Sequence, residues 1–129
     1  MHEIEAQMAR EHEEVERLVA QLRTGRSAAR LLPLLRERLE RHFTWEENVV
    51  FPLVERRCPQ AERSELATLR REHAELRAIL SGTDVTKLLE PLERHKEREE
   101  RSVYAWLDDN LSRGERTGLL KVRPPGRVR

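Results

Sequence analysis

Apolar residues recur every three or four positions along most of this sequence, which is the spacing that gives a helix one buried face. Glycine occurs only five times, always outside the periodic segments. The pattern predicts four helices, at about 3–23, 28–57, 61–80 and from Asp84 onward, with a kink or an early stop at Pro52. Because the connections are short, we expect an all-α fold, an antiparallel up-down-up-down four-helix bundle.

Composition narrows the class of protein. Charged residues make up 38% of the 129 residues and aromatic residues only 4%, which argues against an all-β sandwich. No apolar run approaches the roughly eighteen residues that a membrane helix needs, and the N-terminus shows no secretory signal, so we expect a cytoplasmic protein that does not enter the membrane. The single cysteine, Cys58, excludes an intrachain disulfide and a cysteine-rich zinc module.

The net charge of +1 hides an asymmetry along the chain. The stretch 112–129 contains six basic residues and one acidic residue. We expect residues 1–111 to form the bundle and residues 112–129 to be a basic, disordered tail. Because the remainder of the chain is mildly acidic, nucleic acid is not expected as a partner.

Histidines and glutamates interrupt the apolar faces at regular places. Each predicted helix carries one histidine on its apolar face, namely His12, His42, His73 and His95. In the second helix Glu46 follows the histidine by four residues, so both lie on one face. In the fourth helix Glu99 follows the histidine by the same spacing.

An internal repeat relates these residues in pairs. The tripeptide Arg-Glu-His at 10–12 recurs at 71–73, and the Arg-His and Glu-Glu pairs of 41–47 recur at 94–100. The chain therefore contains two helical hairpins, each with one histidine followed by a His-x-x-x-Glu motif. In a bundle with such symmetry, we expect the six side chains to converge at mid-height.

The cost of burial makes these six residues a predicted metal site. One histidine on an apolar face is usually a hydrogen-bonded core residue, but a buried carboxylate without a partner is expensive. A metal cation would neutralise the carboxylates and use the imidazole lone pairs. Six nitrogen and oxygen donors favour two transition ions over a four-coordinate structural zinc, with iron preferred and manganese or zinc the weaker candidates.

The motifs resemble those of the hemerythrin-like family, the HHE cation-binding domains. The resemblance covers about residues 5–110 and rests on Glu11-His12, HFTWEENVVFP at 42–52, Glu72-His73 and HKEREE at 95–100. It implies a four-helix bundle with a non-haem di-iron centre. In that centre the four histidines would be terminal ligands, and Glu46 and Glu99 would bridge the two iron ions.

The chain departs in two places from the oxygen-carrying hemerythrins that it resembles. They have a second histidine four residues after the third-helix ligand, where this chain has Arg77. Their last helix has an aspartate five residues after its histidine, where this chain has Glu99 at four. The symmetric pattern is similar instead to prokaryotic and iron-regulatory HHE proteins, which favours redox turnover, iron handling or sensing over reversible oxygen carriage.

Several neighbouring residues receive a structural interpretation from the sequence. Glu47 and Glu100 follow the bridging candidates and are interpreted as flanking surface or helix-contact positions, with support of a ligand as the weaker alternative. Glu11 and Glu72 are interpreted as facing solvent. Tyr104, like the nearby tryptophan, is assigned to core packing.

Two functions from different classes follow from these patterns. The first is that of a di-iron protein that binds or reacts with O2, peroxide or NO, or that handles iron. The sequence does not decide whether such a protein is an enzyme, a sensor or an iron store. The alternative is a structural or interaction bundle that holds a single non-redox ion such as zinc.

Overall fold

The computed structural model describes residues 3–24, 28–57, 60–82 and 87–122. Within these ranges the regular structure is entirely helical, which confirms the all-α helical bundle; the up-down-up-down order stays a prediction. The elements in chain order are α1 (Glu3–Arg23), α2 (Ala28–Trp45), the π-helical turn π1 (Glu46–Val50), α3 (Phe51–Arg57), α4 (Gln60–Leu80), α5 (Leu89–Arg98), the π-helical turn π2 (Glu99–Tyr104), α6 (Ala105–Asn110) and α7 (Arg113–Lys121). The predicted helix cap Asp84 and the cysteine Cys58 lie outside the described residues.

The two π-helical turns each begin at a predicted bridging carboxylate, Glu46 in π1 and Glu99 in π2. In π1 the backbone N–H of Phe51 bonds to the carbonyl of Glu46, five residues earlier. Such turns insert an extra residue into a helix and are often found at functional sites. The helix then continues through Pro52 as far as Arg57 instead of stopping early.

Buried apolar side chains form two clusters that are separated along the helices by the buried polar residues. In α1, Ile4 and Met8 belong to the first cluster, while Val15 and Val19 belong to the second. His12 lies between them and is itself buried. The same division recurs in α4, so the apolar core encloses a polar layer from both sides.

The helix α7 corrects the prediction of a disordered tail for this part of 112–129. Its first turn has a capping box, in which the Ser112 hydroxyl accepts from the Glu115 N–H (3.1 Å) and the Glu115 carboxylate accepts from the Ser112 N–H (2.8 Å). Leu119 is buried in the first apolar cluster. Residues 123–129 lie outside the described residues. Among the described helices, none is long and apolar enough to cross a membrane.

Candidate metal centre

The six predicted ligands lie together in the polar layer between the two apolar clusters. Each has an exposed fraction of 7% or less. They come from all four long helical stretches, and are His12 in α1, His42 in α2, Glu46 in π1, His73 in α4, His95 in α5 and Glu99 in π2. The structure thus brings every one of them to the same region.

Glu46 spans two histidines from different helices. Its Oε2 lies 3.0 Å from Nε2 of His42, and its Oε1 lies 2.9 Å from Nε2 of His73. The hydroxyl of Tyr104 donates a hydrogen bond to the Oε2 atom. Tyr104 is therefore more than a packing residue, because it also orients this carboxylate.

Glu99 has the equivalent position on the opposite hairpin. Its Oε2 lies 2.9 Å from Nε2 of His95 and 3.6 Å from Nε2 of His73. Its Oε1 lies 3.5 Å from Nε2 of His12. Both carboxylates therefore direct two oxygens at imidazole nitrogens of different helices, an arrangement suited to bridging.

Despite these short distances, some of the central atoms have no hydrogen bond of good geometry within the described residues. They are Nε2 of His42, Nε2 of His95 and both carboxylate oxygens of Glu99. Buried polar atoms are almost always hydrogen-bonded. A bound cation would therefore satisfy these atoms better than their contacts with one another do. The donor atoms fall into two groups in which all atoms lie within 4.8 Å of one another, namely Glu46, His73, His95 and Glu99, and His12, His42 and Glu99. The nitrogen and oxygen donors fit a transition metal ion, and Glu99 belongs to both groups.

Each of the four histidines is also held from outside the centre by a glutamate. While Nε2 faces the central carboxylates, Nδ1 contacts a carboxylate of a neighbouring helical stretch. The pairs are His12 with Glu100 (2.9 Å), His42 with Glu11 (3.3 Å), His73 with Glu47 (2.6 Å) and His95 with Glu72 (2.9 Å). Because a carboxylate can only accept, the outer glutamate holds a proton on Nδ1, and a cation that displaced the proton from Nε2 would meet the lone pair of that nitrogen.

These four outer glutamates correct the interpretation from the sequence. Glu11 and Glu72, interpreted as facing solvent, have side chains only 12% and 14% exposed. Glu47 and Glu100 are partly buried as well, and each contacts a histidine that is a predicted ligand, as the weaker alternative required. The available signal was the repeat itself, since every outer glutamate adjoins a predicted ligand in the sequence.

The pKa values of the side chains in the centre depend on burial and on the neighbouring charges. Burial by itself lowers the pKa of a histidine, but the carboxylates outweigh it. Glu46 and Glu99 raise the pKa of His73 to about 9, and Glu99 and Glu72 raise that of His95 to about 10. Burial opposes ionisation of Glu99, yet His95, His12 and His73 hold its pKa well below the usual value. The histidines of the centre therefore hold protons that a bound cation would displace, and the ionised carboxylate would then balance the charge of the cation.

Comparison with known protein families gives a match over most of the chain. The model of the Hemerythrin HHE cation binding domain matches residues 3–107. This chain belongs to the hemerythrin HHE family. The matched range includes all six central residues. Their burial and donor chemistry agree with the cation binding that the family name states. No curated protein and no solved structure matches this member of the hemerythrin HHE family.

Proposed function

We propose that this hemerythrin-like protein holds two iron ions in its centre, and that it binds or reacts with a small ligand such as O2, peroxide or NO, or handles iron. The observation that carries the proposal is the pair of donor groups that share Glu99. One group supplies four side chains and the other supplies three. One ion bound by each group, with the carboxylates between them, would use all six buried donors.

The chemistry of the donors supports iron. Imidazole and carboxylate suit iron, whereas a structural zinc site is closed by four ligands and often includes thiolates. With six residues for two ions, positions remain for an exogenous ligand. This argues for a reactive centre over the alternative bundle that holds one zinc ion for stability.

The side chains of the centre would have distinct roles. His73 and His95 would hold one ion, and His12 and His42 the other, with Glu46 and Glu99 between them. Bound iron supplies the capacity to exchange electrons with a small ligand. The surrounding chain orients the imidazoles through the outer glutamates, and its two apolar clusters exclude bulk water.

The proposal is tested by metal content and colour. The full chain would be loaded with ferrous iron without air and then exposed to air, and iron per chain would be measured together with the visible spectrum. We expect about two irons per chain and a new visible band. His42→Ala and Glu46→Ala should lose the band, because each removes a donor from the centre.

A matched control separates loss of a ligand from loss of packing. Leu39→Ala alters a buried residue one turn from His42 and leaves every donor in place. It should lower stability but retain the iron and the band. A wild-type chain that binds no iron, or iron uptake unchanged in both ligand variants, would refute the di-iron centre, and one colourless zinc ion per chain would support the alternative bundle.

A further inference from the structure

Arg77 lies in α4 four residues after His73, at the position where the oxygen carriers have a second histidine. It is directed toward carboxylates on the neighbouring helix. It donates two hydrogen bonds to Glu47, from Nη1 (2.8 Å) and Nη2 (3.1 Å). It donates two more to Glu40, from Nε (2.9 Å) and Nη2 (3.1 Å).

Two routes of contact connect Arg77 with His73, one through Glu47 and one through the ring of Phe43. Oε2 of Glu47, which accepts from Arg77, also contacts Nδ1 of His73 at 2.6 Å. The guanidinium lies 5.3 Å from the ring centroid of Phe43, and that ring stacks on His73 with centroids 4.2 Å apart. Burial opposes ionisation of Glu47, but the hydrogen bonds from Arg77 and His73 lower its pKa below the usual value.

We propose that Arg77 is a positioning residue for His73: it fixes Glu47 so that the imidazole presents Nε2 to the metal. The inference rests on the proposed metal-binding function of the centre. The side chain of Glu47 is 27% exposed, so without Arg77 it could turn to solvent or toward a bound cation as a competing ligand. A planar guanidinium bound by two parallel hydrogen bonds prevents both movements, because it fixes the plane of the carboxylate.

Arg70, on the same helix, provides a matched control for this residue. It donates a hydrogen bond of 2.8 Å to Glu55, and its guanidinium lies 5.3 Å from the ring centroid of Phe51. The ring of Phe51 also stacks on His73, with centroids 5.5 Å apart, so the two arginines share a contact through a ring and differ in the carboxylates that they bind. In the described part of the chain, however, the hydrogen bonds of Glu55 do not include one to a predicted ligand.

The experiment is a titration of the metal-free full chain with Co²⁺ as the probe, followed by the binding isotherm and the visible spectrum. Arg77→Gln should lower the affinity for Co²⁺ by about 10–100-fold and shift the visible band, because the imidazole loses its fixed orientation. Arg77→Lys should recover only part of the affinity, since lysine keeps the charge but not the fork. Arg70→Gln should change the affinity by less than about threefold.

A double-mutant cycle tests whether Arg77 acts through Glu47. In a Glu47→Gln background, Arg77→Gln should cost little additional affinity, because the contact that it supports is already lost. Additive effects, or an unchanged isotherm for Arg77→Gln, would overturn the inference and leave the metal centre intact. If the wild-type chain took up no Co²⁺ and no iron, the proposed function and the inference would both fail.

Discussion

At the residue scale, each buried group in the centre depends on the partner that contacts it. Glu46 is fully buried and accepts a hydrogen bond from Tyr104 while it contacts two histidines. A buried carboxylate that loses a hydrogen-bond donor keeps the cost of its desolvation. The hydroxyl of Tyr104 is thus expected to contribute to stability as well as to orientation.

Tyr104→Phe tests this contribution. Removal of the hydroxyl should lower the free energy of unfolding of the metal-free protein by about 1–3 kcal/mol, measured by urea denaturation. Thr44→Val is the matched control, because it removes a hydroxyl that donates to the exposed carboxylate of Glu40 at 3.1 Å. The control should change stability by no more than about 0.5 kcal/mol. Equal changes in the free energy of unfolding would show that the hydrogen bond to Glu46 stabilises the protein no more than an exposed one does.

At the scale of the helical elements, a side chain of α6 caps the N-terminus of α1, more than 100 positions earlier in the chain. The carboxylate of Asp108 in α6 accepts hydrogen bonds from the backbone N–H groups of Ile4 and Glu5, both at 2.9 Å. These amides belong to the first turn of α1, where the N–H groups have no carbonyl acceptor within the helix. The capping carboxylate also complements the positive end of the helix dipole.

Asp108→Asn should weaken this cap. An amide keeps the shape but has one acceptor oxygen and no charge, so we expect a loss of about 1–2 kcal/mol in stability. The adjacent Asp109 is exposed, and Asp109→Asn should be nearly neutral. Chemical denaturation of both variants measures the difference. A neutral Asp108→Asn would mean that α1 frays at its N-terminus without effect on the remainder of the bundle.

The capping box of α7 offers a second test at this scale. Ser112→Ala removes the acceptor for the Glu115 N–H and should cost about 1 kcal/mol in stability if α7 unfolds together with the bundle. Faster amide exchange confined to 113–121, with global stability unchanged, would instead identify α7 as a separately unfolding unit.

At the scale of the whole molecule, metal binding and folding are linked because the donors come from four helical stretches that meet only in the folded chain. A ligand that binds the folded state alone stabilises it by about 2.7 kcal/mol at a concentration of a hundred times its dissociation constant. The temperature of unfolding should therefore rise with the concentration of added metal.

The membership of the two donor groups predicts how many metal ions each ligand variant binds per chain. Glu99 belongs to both groups, whereas His12 belongs to one. Glu99→Gln should therefore abolish most of the metal-dependent stabilisation, while His12→Ala should retain about one bound ion per chain. Metal analysis and thermal unfolding of the two variants provide the measurement. Loss of all metal in His12→Ala would indicate that the two groups bind only as a unit.

The position of each central residue on the buried face of its own helix was predictable, because that position is a local property. His42 and Glu46 are one helical turn apart, so the sequence puts them on one face whatever the neighbouring helices do. The role of the outer glutamates was not predictable in this way. Glu11 contacts a histidine 31 positions away, and only the packing of α1 against α2 determines that pair. Residues 113–121 were predicted to be disordered because of their glycine and arginine content, although Ser112 and Glu115 have the spacing of a capping box.

The sequence by itself therefore determined the long helices, their buried faces and the histidines and glutamates placed on those faces, because helical period and the cost of burying charge act within a few residues. Tertiary structure decided which glutamate supports which histidine, how Arg77 is used and where α7 packs. Those outcomes depend on the register and rotation of helices that are distant in sequence. No periodicity within one helix can specify them, since they arise only when the faces of different helices meet.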